Sequence, residues 1–146
     1  MPKPKEGKSK DGGLMHYSVG AVIKMGHRYL LIDRVNFPLG FAGLAGHVDE
    51  GETEVQALKR EVKEESGLKV ERWRLITKEP IEWNRDSSGF AGHYWFLFEC
   101  IVSGELKRDE TEAKSIGWYS KEEIQKLKLE PVWEYWFKKL DVIEKK

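Results

Sequence analysis

Residues 46–68 read Gly46-His47-Val48-Asp49-Glu50-Gly51-Glu52-Thr53-Glu54-Val55-Gln56-Ala57-Leu58-Lys59-Arg60-Glu61-Val62-Lys63-Glu64-Glu65-Ser66-Gly67-Leu68. Thr53 and Gln56 have the spacing at which each side chain bonds the other's backbone N–H, and Gly67 supplies the left-handed residue that ends a helix. The stretch therefore predicts a helix from Glu54 to Ser66. On a wheel at about 100° per residue, with Glu61 at zero, Glu64 falls at about −60° and Glu65 at about +40°. Leu58, Val62 and Val55 form an apolar stripe between about +60° and +120°, which must face the core. The three carboxylates thus converge at the edge of the buried stripe, where a cleft and not open surface is expected.

Like charges three and four residues apart cost about 0.2–0.5 kcal/mol per pair on an isolated helix, and more when partly desolvated. A divalent cation relieves that strain, and all-oxygen donors suit Mg²⁺ or Mn²⁺ and not zinc. Arg60, one turn before Glu64, is placed to hold a carboxylate in orientation with its fork of donors. Gly46, Gly51 and Glu52 permit a tight turn before the helix, with the Gly46 carbonyl as a further oxygen ligand.

Outward from this stretch, Tyr17–Lys24 and Tyr29–Arg34 read as two strands of a hairpin around Gly26. Val35–Gly46, with Pro38 and three glycines, reads as a loop holding at most one short strand. Val70–Thr77, His93–Val102 and Ser115–Tyr119 read as strands, and Lys78–Gly92 as a long loop of the kind that carries function. Ser120 with Glu123 repeats the capping-box spacing, and Pro131 opens a last helix bearing Trp133, Trp136, Phe137 and Leu140. Strands mixed with helices imply an α/β or α+β layered domain. Residues 1–13, with four Lys, two Pro and three Gly, predict a disordered tail, leaving residues 14–146 as one domain.

The 146 residues carry 25 Lys+Arg against 25 Asp+Glu, which argues against a long nucleic acid as partner. That balance is an average: Asp49–Glu65 holds seven acidic and three basic residues, a local net of −4. The longest apolar run, Tyr94–Phe98, is far short of a bilayer span, so no membrane association is expected. The single Cys100 excludes an internal disulfide and fits a reducing, cytoplasmic setting. His47 and His93 read as ordinary loop and strand residues outside the chemistry.

Gly46, Glu52 and the run Arg60-Glu61-Val62-Lys63-Glu64-Glu65-Ser66-Gly67-Leu68 stand in the register of a Nudix box, and the chain resembles the Nudix hydrolase family of MutT-like kind. The resemblance implies an α/β/α sandwich with a mixed sheet between helices. It further implies Mg²⁺-assisted cleavage of a nucleoside diphosphate linked to another moiety, such as a nucleotide sugar, ADP-ribose or (d)NTP. By position, Glu61, Glu64 and Glu65 correspond to the metal-binding and base-supplying carboxylates, with the Gly46 carbonyl as a ligand and Arg60 supporting them. A glutamate in a later loop serves as base in some members, and Glu112 is the candidate here. For the substrate, Trp83, Arg85 and Phe90 in the long loop, with Phe37 and Phe41 before the box, are candidates to stack a base or grip a phosphate. Two other functions have the same fold: a non-catalytic nucleotide sensor, and an isoprenoid diphosphate isomerase, which requires a catalytic Cys and further metal-binding His. A homodimer is compatible with the sequence.

Overall fold

The computed structural model describes residues 3–8, 14–83 and 92–144. The fold is organised on β2 (Leu14–Met25), which turns at Gly26 into β3 (Arg28–Arg34), the expected hairpin. One edge of β2 runs parallel to β7 (His93–Ser103), from His16 opposite His93 to Ile23 opposite Cys100. Its other edge pairs antiparallel with β5 (Leu44–His47), Ser18 opposite His47 and Val19 opposite Gly46. Beyond β7 lies β6 (Lys69–Ile81), while β4 (Phe41–Ala42) and β8 (Ala113–Ser120) flank β3. The result is a mixed eight-stranded sheet, the α/β architecture anticipated above.

Alternation along β2 separates two faces. Gly20 faces Leu97, Trp95 and Trp133, and so lies on the side covered by α3 (Pro131–Lys139). Trp133 and Trp136 meet Trp95 edge-on at 6.5 and 5.9 Å between ring centroids. Gly46 and Val19 face the other side, where α1 (Glu54–Ser66) packs with Ala57, Leu58 and Val62 fully buried. Truncating a buried tryptophan such as Trp133 to alanine costs about 3–5 kcal/mol, so α3 is a main support of the sandwich. A short α2 (Lys121–Ile124) follows β8 behind its Ser120–Glu123 capping box.

α1 has the predicted bounds, with both halves of the Thr53–Gln56 capping box formed and Gly67 at φ +75°. The N-terminal tail differs from its expectation. Glu6–Lys8 form β1, which extends the edge of β2 at Leu14–His16, and Lys5 N–H donates to the Val48 carbonyl at 2.7 Å. Added edge pairing uses backbone groups and requires no apolar side chains, so composition is blind to it. Val35–Gly46 is also more regular than its punctuation implies, since β4 and β5 both fall within it or at its end. β6 outruns its predicted end by four residues, through Pro80 opposite Tyr94 to Ile81 opposite His93. It tolerates Pro80 because, among the described residues, it is an edge strand, with two register shifts.

Candidate active site

Three local features place the carboxylates of α1. The capped start anchors the helix after the turn at Gly51, the stripe of Leu58 and Val62 sets its rotation, and β5, which among the described residues pairs with β2 alone, presents its other edge to it. The Ala45 N–H on that edge donates to Glu65 Oε1 at 3.0 Å. A Cβ at position 46 would overlap the Glu61 carboxyl group, so glycine there leaves room for that carboxylate where it stands. Gly46 itself lies in β5 opposite Val19 and not in a loop.

Arg60 ties the cluster together. Its Nε and Nη2 donate to Glu52 at 2.8 and 2.9 Å, its Nη2 to the His47 carbonyl at 2.9 Å, and its Nη1 to Glu61 Oε1 at 2.7 Å. Asp49 lies 3.2 Å from the same guanidinium. Glu64, the partner expected from helix spacing, is the distant one at 3.4 Å, and more than half of its side chain is exposed. The guanidinium is held protonated well above its ordinary range, chiefly by Glu52, whose own carboxyl it holds below the usual value. Glu61 responds to burial, which pushes its carboxyl up to about 7 against the pull of Arg60. Glu65 is raised well above the usual range, by burial first and then by the charge of Glu61.

These groups open onto a cavity of about 620 Å³, lined by Glu61, Glu64 and Glu65 from α1 and by Gly46, His47 and Asp49 before it. Glu112, from the loop before β8, reaches the same cavity, as do Asp109 and Glu130, so among the described residues seven carboxylates line it against one arginine, Arg34. Such a donor set fits hard divalent cations, since buried like charges raise one another's proton affinity until a cation or a proton neutralises them.

The remaining candidates divide. Phe37 lines the cavity and is 66% exposed. Phe41 does not, because its ring packs edge-on against Tyr119 at 5.7 Å, a structural role. Trp83 stands edge-on to Tyr135 at 5.9 Å, apart from the residues lining the cavity. Arg85 and Phe90 lie outside the described residues. Cys100 is buried in β7 away from the cavity lining, its thiol pushed up to about 12 by burial, which removes the cysteine an isomerase requires. The sequence sets His47 and His93 outside the chemistry and gives no sign of His16, yet the rings of all three meet beside this cavity. The signal was available only in the strand register, which brings positions 16, 47 and 93 to one face.

Fold and site together are those of a Nudix hydrolase domain. The NUDIX domain profile matches residues 14–140, and the chain belongs to the Nudix family. It is 37% identical over 100 residues to a NAD-capped RNA hydrolase of Macaca fascicularis, covering 68% of this chain and 20% of that protein. It is 38% identical over 82 residues to the NAD-capped RNA hydrolase NudC of Citrobacter koseri, covering 56% of this chain and 29% of that one. The chain thus spans less than a third of the length of these relatives. Among solved structures, the MutT Nudix hydrolase from Burkholderia pseudomallei superposes with a TM-score of 0.71 at 24% identity, over 82% of this chain and 92% of that one. The Nudix domain of Shewanella oneidensis NrtR, solved with ADP ribose, gives 0.74 at 15% identity over 92% of each chain. At these identities the structural likeness establishes the fold.

Proposed function

We propose that this chain hydrolyses the diphosphate linkage of a small nucleotide, with Mg²⁺ as its working ion and Mn²⁺ as a substitute. The observation that carries the reading is the convergence of Glu61, Glu64, Glu65 and Glu112 on one cavity of nucleotide size. Glu61, Glu64 and Glu65, with the Gly46 carbonyl, are the groups to hold the ion. When bound, it neutralises diphosphate oxygens and acidifies water.

The protein's own contributions follow from the contacts above. Arg60 keeps Glu61 aimed into the cavity while its fork on Glu52 locks the loop before α1. Glu112 faces the α1 cluster from a separate loop and is the group to accept the proton of the attacking water. Arg34, held by its Nε bond to the Pro38 carbonyl at 2.7 Å, offers a phosphate a cation, and Phe37 offers a base an exposed ring face. Arg85 and Phe90 remain proposed substrate residues of the segment that follows β6 in sequence.

The relatives' activity on NAD-capped RNA puts NAD, whose diphosphate joins two nucleosides, first among the substrates to try. A cytoplasmic setting is proposed on the strength of the single thiol. Among the described residues, no helix is long and apolar enough to cross a membrane. The test is product release with Mg²⁺ from NAD, NAD-capped RNA, ADP-ribose, nucleotide sugars, oxidised and ordinary dNTPs and dinucleoside polyphosphates. Cleavage at the diphosphate, lost on chelation, is the expected result. Binding with no cleavage of any compound would move the chain to the sensor class.

A further inference from the structure

Three of the chain's four histidines meet at one point, although they are 31 and 46 residues apart in sequence order (16 to 47, 47 to 93). His16 and His93 are direct neighbours across the parallel β2–β7 ladder, and His47 stands opposite Ser18 on the other edge of β2. Residues two apart on a strand share a face, and paired residues project to the same side. All three imidazoles therefore leave the same face of the sheet. One ring nitrogen of each lies within 4.8 Å of the others, and His47 Nε2 is 3.3 Å from His93 Nε2. His16 and His93 are 5% exposed, and His47 is half-buried.

One of the three separations already matches a coordination shell, and the third nitrogen is within 4.8 Å of both. Two imidazole nitrogens bound about 2.0–2.1 Å from one tetrahedral ion stand about 3.3–3.4 Å apart, the separation His47 and His93 already have. The donors also differ in kind from those of α1. Nitrogen ligands favour Zn²⁺ and similar transition ions, whereas the carboxylates of α1 suit Mg²⁺.

We propose that His16, His47 and His93 form a second metal site, taking Zn²⁺ or another imidazole-preferring divalent ion through one ring nitrogen each. His47 and His93 line the 620 Å³ cavity, so an ion they hold is reached from it. Three protein ligands with one open position is the pattern of an ion that exchanges water or a substrate oxygen, and not of a closed structural site. The site also links β2, β5 and β7 at the end of the sheet nearest the box. Arg60 reaches it as well, through its bond to the His47 carbonyl. The inference stands independently of the proposed hydrolysis, because it concerns metal uptake alone.

The experiment uses the full chain, stripped with chelator and dialysed into excess Mg²⁺. Zn²⁺ uptake is measured by equilibrium dialysis, and Co²⁺ serves as a spectroscopic probe of nitrogen-rich tetrahedral coordination. One tightly held Zn²⁺ per chain and an intense visible Co²⁺ band are expected. His16→Gln and His93→Gln should each weaken Zn²⁺ binding at least about tenfold, with exposed His27→Gln and the carboxylate variant Glu64→Gln unchanged. Thermal unfolding checks each variant. Because His47 is less buried, His47→Gln decides the matter if the other two fail to fold. Absence of Zn²⁺ uptake by the unaltered chain overturns the proposal, as does uptake that survives His47→Gln or disappears in Glu64→Gln.

Discussion

The Arg60 guanidinium grips the Glu52 carboxylate in a two-pronged bond, Nε to Oε2 at 2.8 Å and Nη2 to Oε1 at 2.9 Å. The same side chain still reaches Glu61 at 2.7 Å and the His47 carbonyl. One planar fork thus ties the loop before α1 to the carboxylate that faces the cavity, a task lysine's single ammonium cannot duplicate. Arg60→Lys is accordingly expected to lower turnover about 10–100-fold with a modest loss of stability. Steady-state kinetics alongside thermal unfolding checks this, and near-normal turnover would show that the fork is not needed to aim Glu61.

Gly46→Ala tests the same carboxylate from the other side. The added methyl overlaps the Glu61 carboxyl group, so either that side chain or α1 must shift. Metal affinity and turnover should fall together by more than tenfold, because misplaced ligands weaken both. Mn²⁺ titration calorimetry and product release measure the two quantities. Wild-type Mn²⁺ affinity in this variant would remove Glu61 from the ligand set.

Thr53→Ala provides a contrast, acting on the helix and not on the site. The Thr53 hydroxyl accepts the Gln56 N–H at 3.1 Å, and its loss should cost about 1 kcal/mol of stability. Chemical denaturation should reveal that loss, with turnover of the folded protein little altered.

The reach of the sequence follows the range of the interactions. Helix α1 was legible to the residue because Thr53, Gln56 and Gly67 act within one turn of its ends. The carboxylate cluster was legible because helical spacing alone sets its geometry. Where a partner lies across the fold, the reading weakened. Helix spacing pointed Arg60 to Glu64, but the loop carries Glu52 and the His47 carbonyl closer. Phe41 was read as a substrate contact because nothing local reveals Tyr119 beneath it. β1 formed from a polar stretch because strand addition is a backbone event, and the three histidines converge only once two ladders have set their register.

Glu130 supplies a pH prediction. It caps α3, accepting the Val132 N–H at 3.4 Å, and is 3% exposed. Burial raises its carboxyl from 4.5 to about 7, against the opposing charge of Arg34. The folded state thus holds this proton more tightly than the unfolded chain does. Its contribution is fully present below about pH 4.5 and is lost as pH rises through about 7. Glu130→Gln keeps a capping oxygen and removes the titration, so the stability difference between the two proteins should change across that window, by about 3 kcal/mol at most. Denaturation midpoints at several pH values, without added metal, measure it. A difference independent of pH would mean that burial does not raise the proton affinity of Glu130 in the folded protein.

Glu64 and Glu112 enter the same cavity from different elements, and the proposed roles separate them. If Glu64 holds the ion, Glu64→Gln weakens Mn²⁺ binding as well as turnover. If Glu112 accepts the water's proton, Glu112→Gln leaves Mn²⁺ affinity nearly intact while kcat falls about 10²–10⁴-fold. The side chain of Glu112 is exposed in a loop, so its substitution should barely affect folding and the kinetic loss can be read directly. A raised KM at unchanged kcat would make Glu112 a binding residue instead. The proton acceptor would then have to be sought among the α1 carboxylates that line the same cavity.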